Sequence, residues 1–182
     1  MSGSAPGVTA SLTLHPAGRA PAVESIQIGA ARTPENTLFL RYTLVGDLGA
    51  LVLPAAGAPT RTDELWKHTC FEAFVRPDAN APGYVELNLA PSRKWAAYAF
   101  DDYRAGMRNA DAIDASNIET SVTGRFYNLR AAIPLASLGE RPWQVAITAV
   151  IETANGEKSY WSLAHAPGNP DFHNAAGFTL TL

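Results

Sequence analysis

A single cysteine, Cys70, stands in 182 residues, so no internal disulfide can form and no partner exists for a CxxC redox motif or a zinc finger. The chain therefore suits a reducing compartment. Apart from Met1 the only methionine is Met107, which is thin provision for the His and Met axial pair of a haem. No apolar run approaches the roughly 18 residues of a bilayer-spanning helix. Residues 1–15 also lack the basic stretch and the roughly 7 to 15 apolar residues of a secretory signal. A soluble, cytoplasmic protein is the expectation. Seventeen acidic side chains against fourteen basic ones give a net charge of -3. That balance offers no field for nucleic acid or an anionic membrane, and neither is expected as a partner. GxSxG, HExxH, Walker and GxGxxG motifs are all missing.

What the chain does have is apolar content of 47%, enough for a full core, and it reads as one domain over residues 11–182 behind a flexible terminus at 1–10. Thirteen prolines and fourteen glycines are spread along it rather than clustered. They cut it into segments of about five to ten residues, the spacing of an all-β domain. Period-two alternation is plainest in Thr37 to Val45, where Leu38, Leu40, Tyr42 and Leu44 share a face. Counting similar segments, Leu51 to Leu53 among them, gives about eleven strands and predicts an antiparallel β-sandwich. Asn155-Gly156 predicts a tight type I′ hairpin between strands ending near Thr153 and starting near Lys158. Pro134 to Gly139 predicts one short helical turn, and Tyr103 to Asn117 a long loop.

Two neighbouring segments, Cys70 to Arg76 and Tyr84 to Leu89, read as a hairpin. Antiparallel pairing then puts Phe71, Ala73, Val75, Val85, Leu87 and Leu89 on a core face, and Glu72, Phe74, Tyr84, Glu86 and Asn88 on the other. Glu72 falls across from Asn88, with Cβ atoms about 5 Å apart. A face of carboxylates, amide and aromatics suits a sugar, whose hydroxyls want planar hydrogen-bonding partners and whose C–H faces want flat rings. It also suits the solvated side of a sheet.

Other residues divide in the same way. Trp143 opens an apolar strand and belongs in the core; Trp66 and Trp161 are the stacking candidates, and Trp95 can face either side. Glu72 and Glu86 could serve a glycosidase as paired carboxylates, or simply accept hydrogen bonds. His165, Asp171 and His173 lie in a Pro/Gly-rich loop whose spacing matches no strong metal signature. Cys70 reads as a small packed residue.

Leu65-Trp66, Cys70 to Phe74, Tyr84 to Asn88 and Ile133 to Gly139 together resemble DOMON-like proteins related to family 9 carbohydrate-binding modules, over roughly residues 20–182. The resemblance implies a β-sandwich that binds a saccharide without catalysis. Carried over by position, it implies a ligand set of Trp66, Glu72 and Arg93, with Trp161 as second indole and Asn88 as helper. The segments Trp95 to Arg104 and Tyr160 to His173 look more like a bacterial DOMON-like subgroup to which no ligand is assigned. The expectation is binding of a carbohydrate or sugar-like small molecule, with no catalytic residues, no metal and no cofactor. The alternatives are a glycoside-processing enzyme using Glu72 and Glu86, or a haem- or metal-binding domain.

Overall fold

The computed structural model describes residues 7–182. Thirteen strands follow one another: β1 (Val8–Leu14), β2 (Val23–Arg32), β3 (Thr37–Gly46), β4 (Thr60–Arg61), β5 (Cys70–Arg76), β6 (Tyr84–Leu89), β7 (Lys94–Phe100), β8 (Arg108–Asn109), β9 (Ile118–Thr123), β10 (Phe126–Pro134), β11 (Gln144–Glu152), β12 (Lys158–Ser162) and β13 (Leu180–Thr181). Among the described residues only 3-10 turns break the pattern; there is no α-helix.

Eleven of these strands lie side by side in the order β4-β7-β6-β5-β11-β12-β1-β2-β3-β10-β9. All neighbours are antiparallel except β4 and β7. The fold into two layers happens at β1: Val8 to Leu12 pair with β2, whereas Thr13 and Leu14 pair with Ser162 and Trp161 of β12. One strand thereby serves both layers.

Alternation becomes burial along β3, where Leu38, Leu40, Tyr42 and Leu44 all point inward and are buried. They meet the inner face of β5 and β6, where Phe71, Ala73, Val75, Val85, Leu87 and Leu89 are buried in the same core. The ring of Tyr42 lies 5.0 Å from that of Phe71, which stacks in turn on Tyr127 at 5.8 Å. Each such side chain contributes roughly 1.5–3 kcal/mol through removal of apolar surface from water. The Tyr42 hydroxyl is satisfied inside the core by donating to the Glu72 carbonyl at 2.8 Å, which avoids the penalty of an unpaired buried hydroxyl. Trp143 is fully buried as its strand pattern predicts, with the Arg32 guanidinium 3.8 Å over its ring. Trp95 takes the inner face opposite Leu89.

The structure corrects several local expectations. β1 starts at Val8, inside the stretch assigned to a flexible terminus; residues 1–6 of that stretch lie outside the described residues. Leu51 to Leu53 form no strand, since only Leu51 bridges, to Thr153, before Pro54. The hairpin at Asn155-Gly156 exists, but Gly156 alone has a positive φ, of 85°. Its amide donates to Thr153, and Thr153 donates to Glu157, so the loop has three residues and not two.

Candidate binding cleft

β5 and β6 are buried on both faces, so the outer face of this hairpin, which from sequence suits either a sugar or solvent, is covered. Two cross-strand rows of outward-pointing residues run over the sheet. One joins Thr148, Glu72, Asn88 and Ala96; the next joins Ala146, Phe74, Glu86 and Tyr98. The predicted pairing of Glu72 with Asn88 is thus present. Three segments roof these rows: the 3-10 turn Leu65–Lys67, the loop 101–107 after β7, and the loop 163–177 after β12. Their aromatic residues build a second apolar cluster around Phe74, Tyr84, Phe100 and Phe178.

Between floor and roof remains a cleft of about 370 Å³. Glu72, Glu86 and Val150 form its floor, Trp66, Tyr160 and Phe172 are aromatic walls, and Arg104 and His173 are among the other lining residues. This volume lies in the range of small-ligand sites. Trp66 is half-buried and meets the Tyr98 ring edge-on at 5.7 Å.

The two carboxyls are held unequally. Glu72 Oε2 accepts the Thr148 hydroxyl at 3.1 Å, while its buried Oε1 has no hydrogen-bond partner among the described residues. Glu86 Oε1 accepts the Asn88 amide at 2.7 Å, and Oε2 lies 3.8 Å from Nε2 of His173. Burial, reinforced by the charge of Glu86, pushes the Glu72 carboxyl well above the ordinary range. Glu86 is also raised by burial, against the opposing pull of Asn88 and Arg104. His173 is pushed down to about 4 by burial and by the Arg104 charge, with Asp171 opposing, so its imidazole is neutral at pH 7.

Arg104 ties the two covering loops together, donating to Asp171 Oδ1 at 2.8 Å, while the Tyr103 hydroxyl donates to Oδ2 at 2.8 Å. The loop that carries Arg104 turns at Gly106, with φ of 67°. That φ favours glycine, and a Cβ there would lie 2.2 Å from Asp101 Oδ2, so the Asp101 side chain would have to turn away.

The residues expected from sequence fall into four places. Trp66 and Glu72 line the cleft; Asn88 lies beneath it, fully buried, and orients Glu86 instead of facing a ligand. Arg93 is elsewhere: in the turn between β6 and β7, with φ of 68°, it donates from Nε to the Ile118 carbonyl at 2.8 Å and from Nη1 to that of Gly57 at 3.4 Å. Its guanidinium is a strap between loops. Trp161 is 6% exposed within the core, its indole N–H donating to Ser159 Oγ at 2.9 Å. Its neighbour Tyr160 takes the cleft wall instead. The trio His165, Asp171 and His173 also separates: His165 reaches the Thr13 carbonyl at 2.9 Å, Asp171 holds Arg104, and His173 meets Tyr84. No cluster of three His, Cys, Asp or Glu side chains fit to hold a metal occurs among the described residues.

Met107 and His173 line the same cleft, yet they do not fit a haem axial pair. The His173 ring is wedged against Phe74 and Phe100, with Nδ1 taken by Tyr84 and Nε2 turned to Glu86. Phe100, Arg104, Val150, Tyr160, Pro170 and Phe172 are the lining residues that sequence reasoning did not select. Only strand parity, on β7, β11 and β12, carried a signal for any of them.

Fold and cleft together define an all-β sandwich with a small, aromatic-walled, acidic-floored cleft on the outer side of one layer. No protein-family model and no curated protein matches the chain. Among solved structures it is similar to a crystal structure from Bacteroides uniformis named "putative carbohydrate-binding protein", with 16% identity and a TM-score of 0.57 over 85% of this chain and 76% of that one. The likeness is one of fold.

Proposed function

We propose that this protein binds a carbohydrate or sugar-like small molecule, without catalysis, in the cleft above Glu72 and Glu86. One observation carries the reading: Glu72 lines the cleft, and its buried Oε1 has no hydrogen-bond partner among the described residues. An unpaired buried acceptor costs about 1–3 kcal/mol, and a ligand hydroxyl supplied from the cleft would recover it. The rings of Trp66, Tyr160 and Phe172 offer apolar surface for sugar C–H faces. The Bacteroides uniformis neighbour, by its name, supports the same class of ligand. The DOMON-like resemblance is part of this reading, with Trp66 and Glu72 kept from its ligand set and Tyr160 in place of Trp161. Arg93 has no part in it. Calorimetry against a panel of mono- and disaccharides tests the proposal. Saturable binding that is lost in Trp66→Ala and Glu72→Ala proteins of unchanged circular dichroism is expected; no heat and no thermal shift across the panel overturns it.

A second reading, glycoside processing by Glu72 and Glu86, draws on the burial that raises both carboxyls, the condition a general acid needs. The two residues are diagonal neighbours on adjacent strands, with Cα atoms roughly 7–8 Å apart. It requires turnover of an aryl glycoside that disappears in Glu86→Gln.

A further inference from the structure

Resting on the saccharide reading, we infer that the ligand is an amino sugar with a free ammonium group, seated between Glu72 and Glu86. The argument is one of charge and donors. Two carboxyls on neighbouring strands, 2% and 5% exposed, form the cleft floor. Each has one oxygen satisfied from below, by Thr148 on β11 and by Asn88 on β6. Each also has one oxygen with no hydrogen bond among the described residues, Oε1 of Glu72 and Oε2 of Glu86.

The cation in the cleft lining, Arg104, pulls on Glu86 but makes no hydrogen bond to either carboxyl among the described residues. Arg104, from the loop 101–107, is committed to Asp171 of the facing loop at 2.8 Å. His173 is neutral at pH 7 and stands 3.8 Å from Glu86, beyond hydrogen-bond reach. Tyr84 gives its proton to His173, and the Cys70 thiol points to Asn88 Oδ1 at 3.5 Å. Lysine is not among the lining residues.

An ammonium group brings three N–H donors and a compact positive charge, and so matches two unpaired carboxylate oxygens. Neutral hydroxyls match the donor count but bring no charge, so the pair must keep a proton when they bind. In the empty cleft a proton held by the pair serves as counter-charge, consistent with the upward displacement of both carboxyls. Entry of an ammonium group displaces that proton to solvent. Trp66, Tyr160 and Phe172 then face both the sugar ring and the cation, a setting in which aromatic faces attract positive charge.

The test is calorimetry at pH 7 with glucose, N-acetylglucosamine and glucosamine, and with the β-1,4-linked dimer of each, in two buffers of different ionisation enthalpy. Glucosamine or its dimer is expected to bind at least about tenfold more tightly than the neutral counterparts, with proton release measurable between the buffers. Glu72→Gln and Glu86→Gln are each expected to reduce that preference to about twofold or less while melting cooperatively. If one variant fails to fold, the other carries the comparison. Equal or tighter binding of neutral sugars overturns the ammonium assignment and leaves the saccharide reading intact. Absence of binding by all six compounds overturns both.

Discussion

The Tyr84 hydroxyl lies 2.7 Å from Nδ1 of His173 and accepts the backbone N–H of Arg104 at 3.2 Å. With the oxygen already accepting, the phenolic proton goes to Nδ1, and the neutral imidazole carries its own proton on Nε2, toward Glu86. Strand β6 thereby positions residues from both covering loops through one hydroxyl.

That arrangement predicts a single His173 tautomer. Nitrogen-15 shifts of the imidazole are expected to report Nε2–H at neutral pH and little protonation until the pH approaches about 4. Tyr84→Phe leaves Nδ1 and the Arg104 amide without their partner. A tautomer mixture is expected, with a stability loss of about 1–3 kcal/mol in urea titration.

The pH dependence of stability has two opposed parts. His173 titrates near 4 when folded and near its ordinary 6.5 when unfolded, so the unfolded chain binds the extra proton between these values and stability rises with pH across that window. Glu72 acts in the other direction. Its folded value lies well above 4.5, so the stability present below 4.5 is lost as the pH climbs toward the folded value. Urea midpoints for His173→Gln are expected to lose the acid-side rise, worth about 2 kcal/mol after allowance for solvent screening. Glu72→Gln is expected to remove the decline on the alkaline side.

The two indoles expected to stack on ligand are predicted to behave oppositely. Trp161→Ala opens a cavity in the core and is expected to cost about 3–5 kcal/mol of stability. Trp66→Ala removes a half-buried cleft wall and is expected to weaken saccharide binding with a far smaller change in urea midpoint.

Arg93 is predicted to matter for stability alone. Arg93→Ala removes the donors to Ile118 and Gly57 and leaves a non-glycine residue at φ of 68°, so a loss of about 1–2 kcal/mol is expected. Arg93→Gly relieves the backbone and is expected to lose less. Ligand affinity measured by calorimetry is expected to be unchanged in both.

Trp161 shows why part of the site was illegible. A two-residue turn at Asn155-Gly156 pairs Ala154 with Glu157 and puts Trp161 across from Val150, on the cleft side. The observed loop is one residue longer and pairs Glu152 with Lys158, which sets Tyr160 across from Val150 and Trp161 across from Ala149 in the core. One residue of register exchanges the two faces of a strand. Gly156 adopts positive φ in either turn, so local chemistry does not separate them.

The sequence by itself determined the all-β class, the inner face of β5 and β6, and the placing of Glu72 opposite Asn88. These follow from period-two alternation and from a hairpin whose partners are close along the chain. Tertiary structure alone decided that the outer face is covered, that Arg93 straps loops, and that Arg104, Tyr160, Phe172 and His173 gather over the two carboxyls. Arg104, Phe172 and His173 come from loops and Tyr160 from β12, and their placing depends on packing between residues far apart in sequence. Alternation carries no record of that packing.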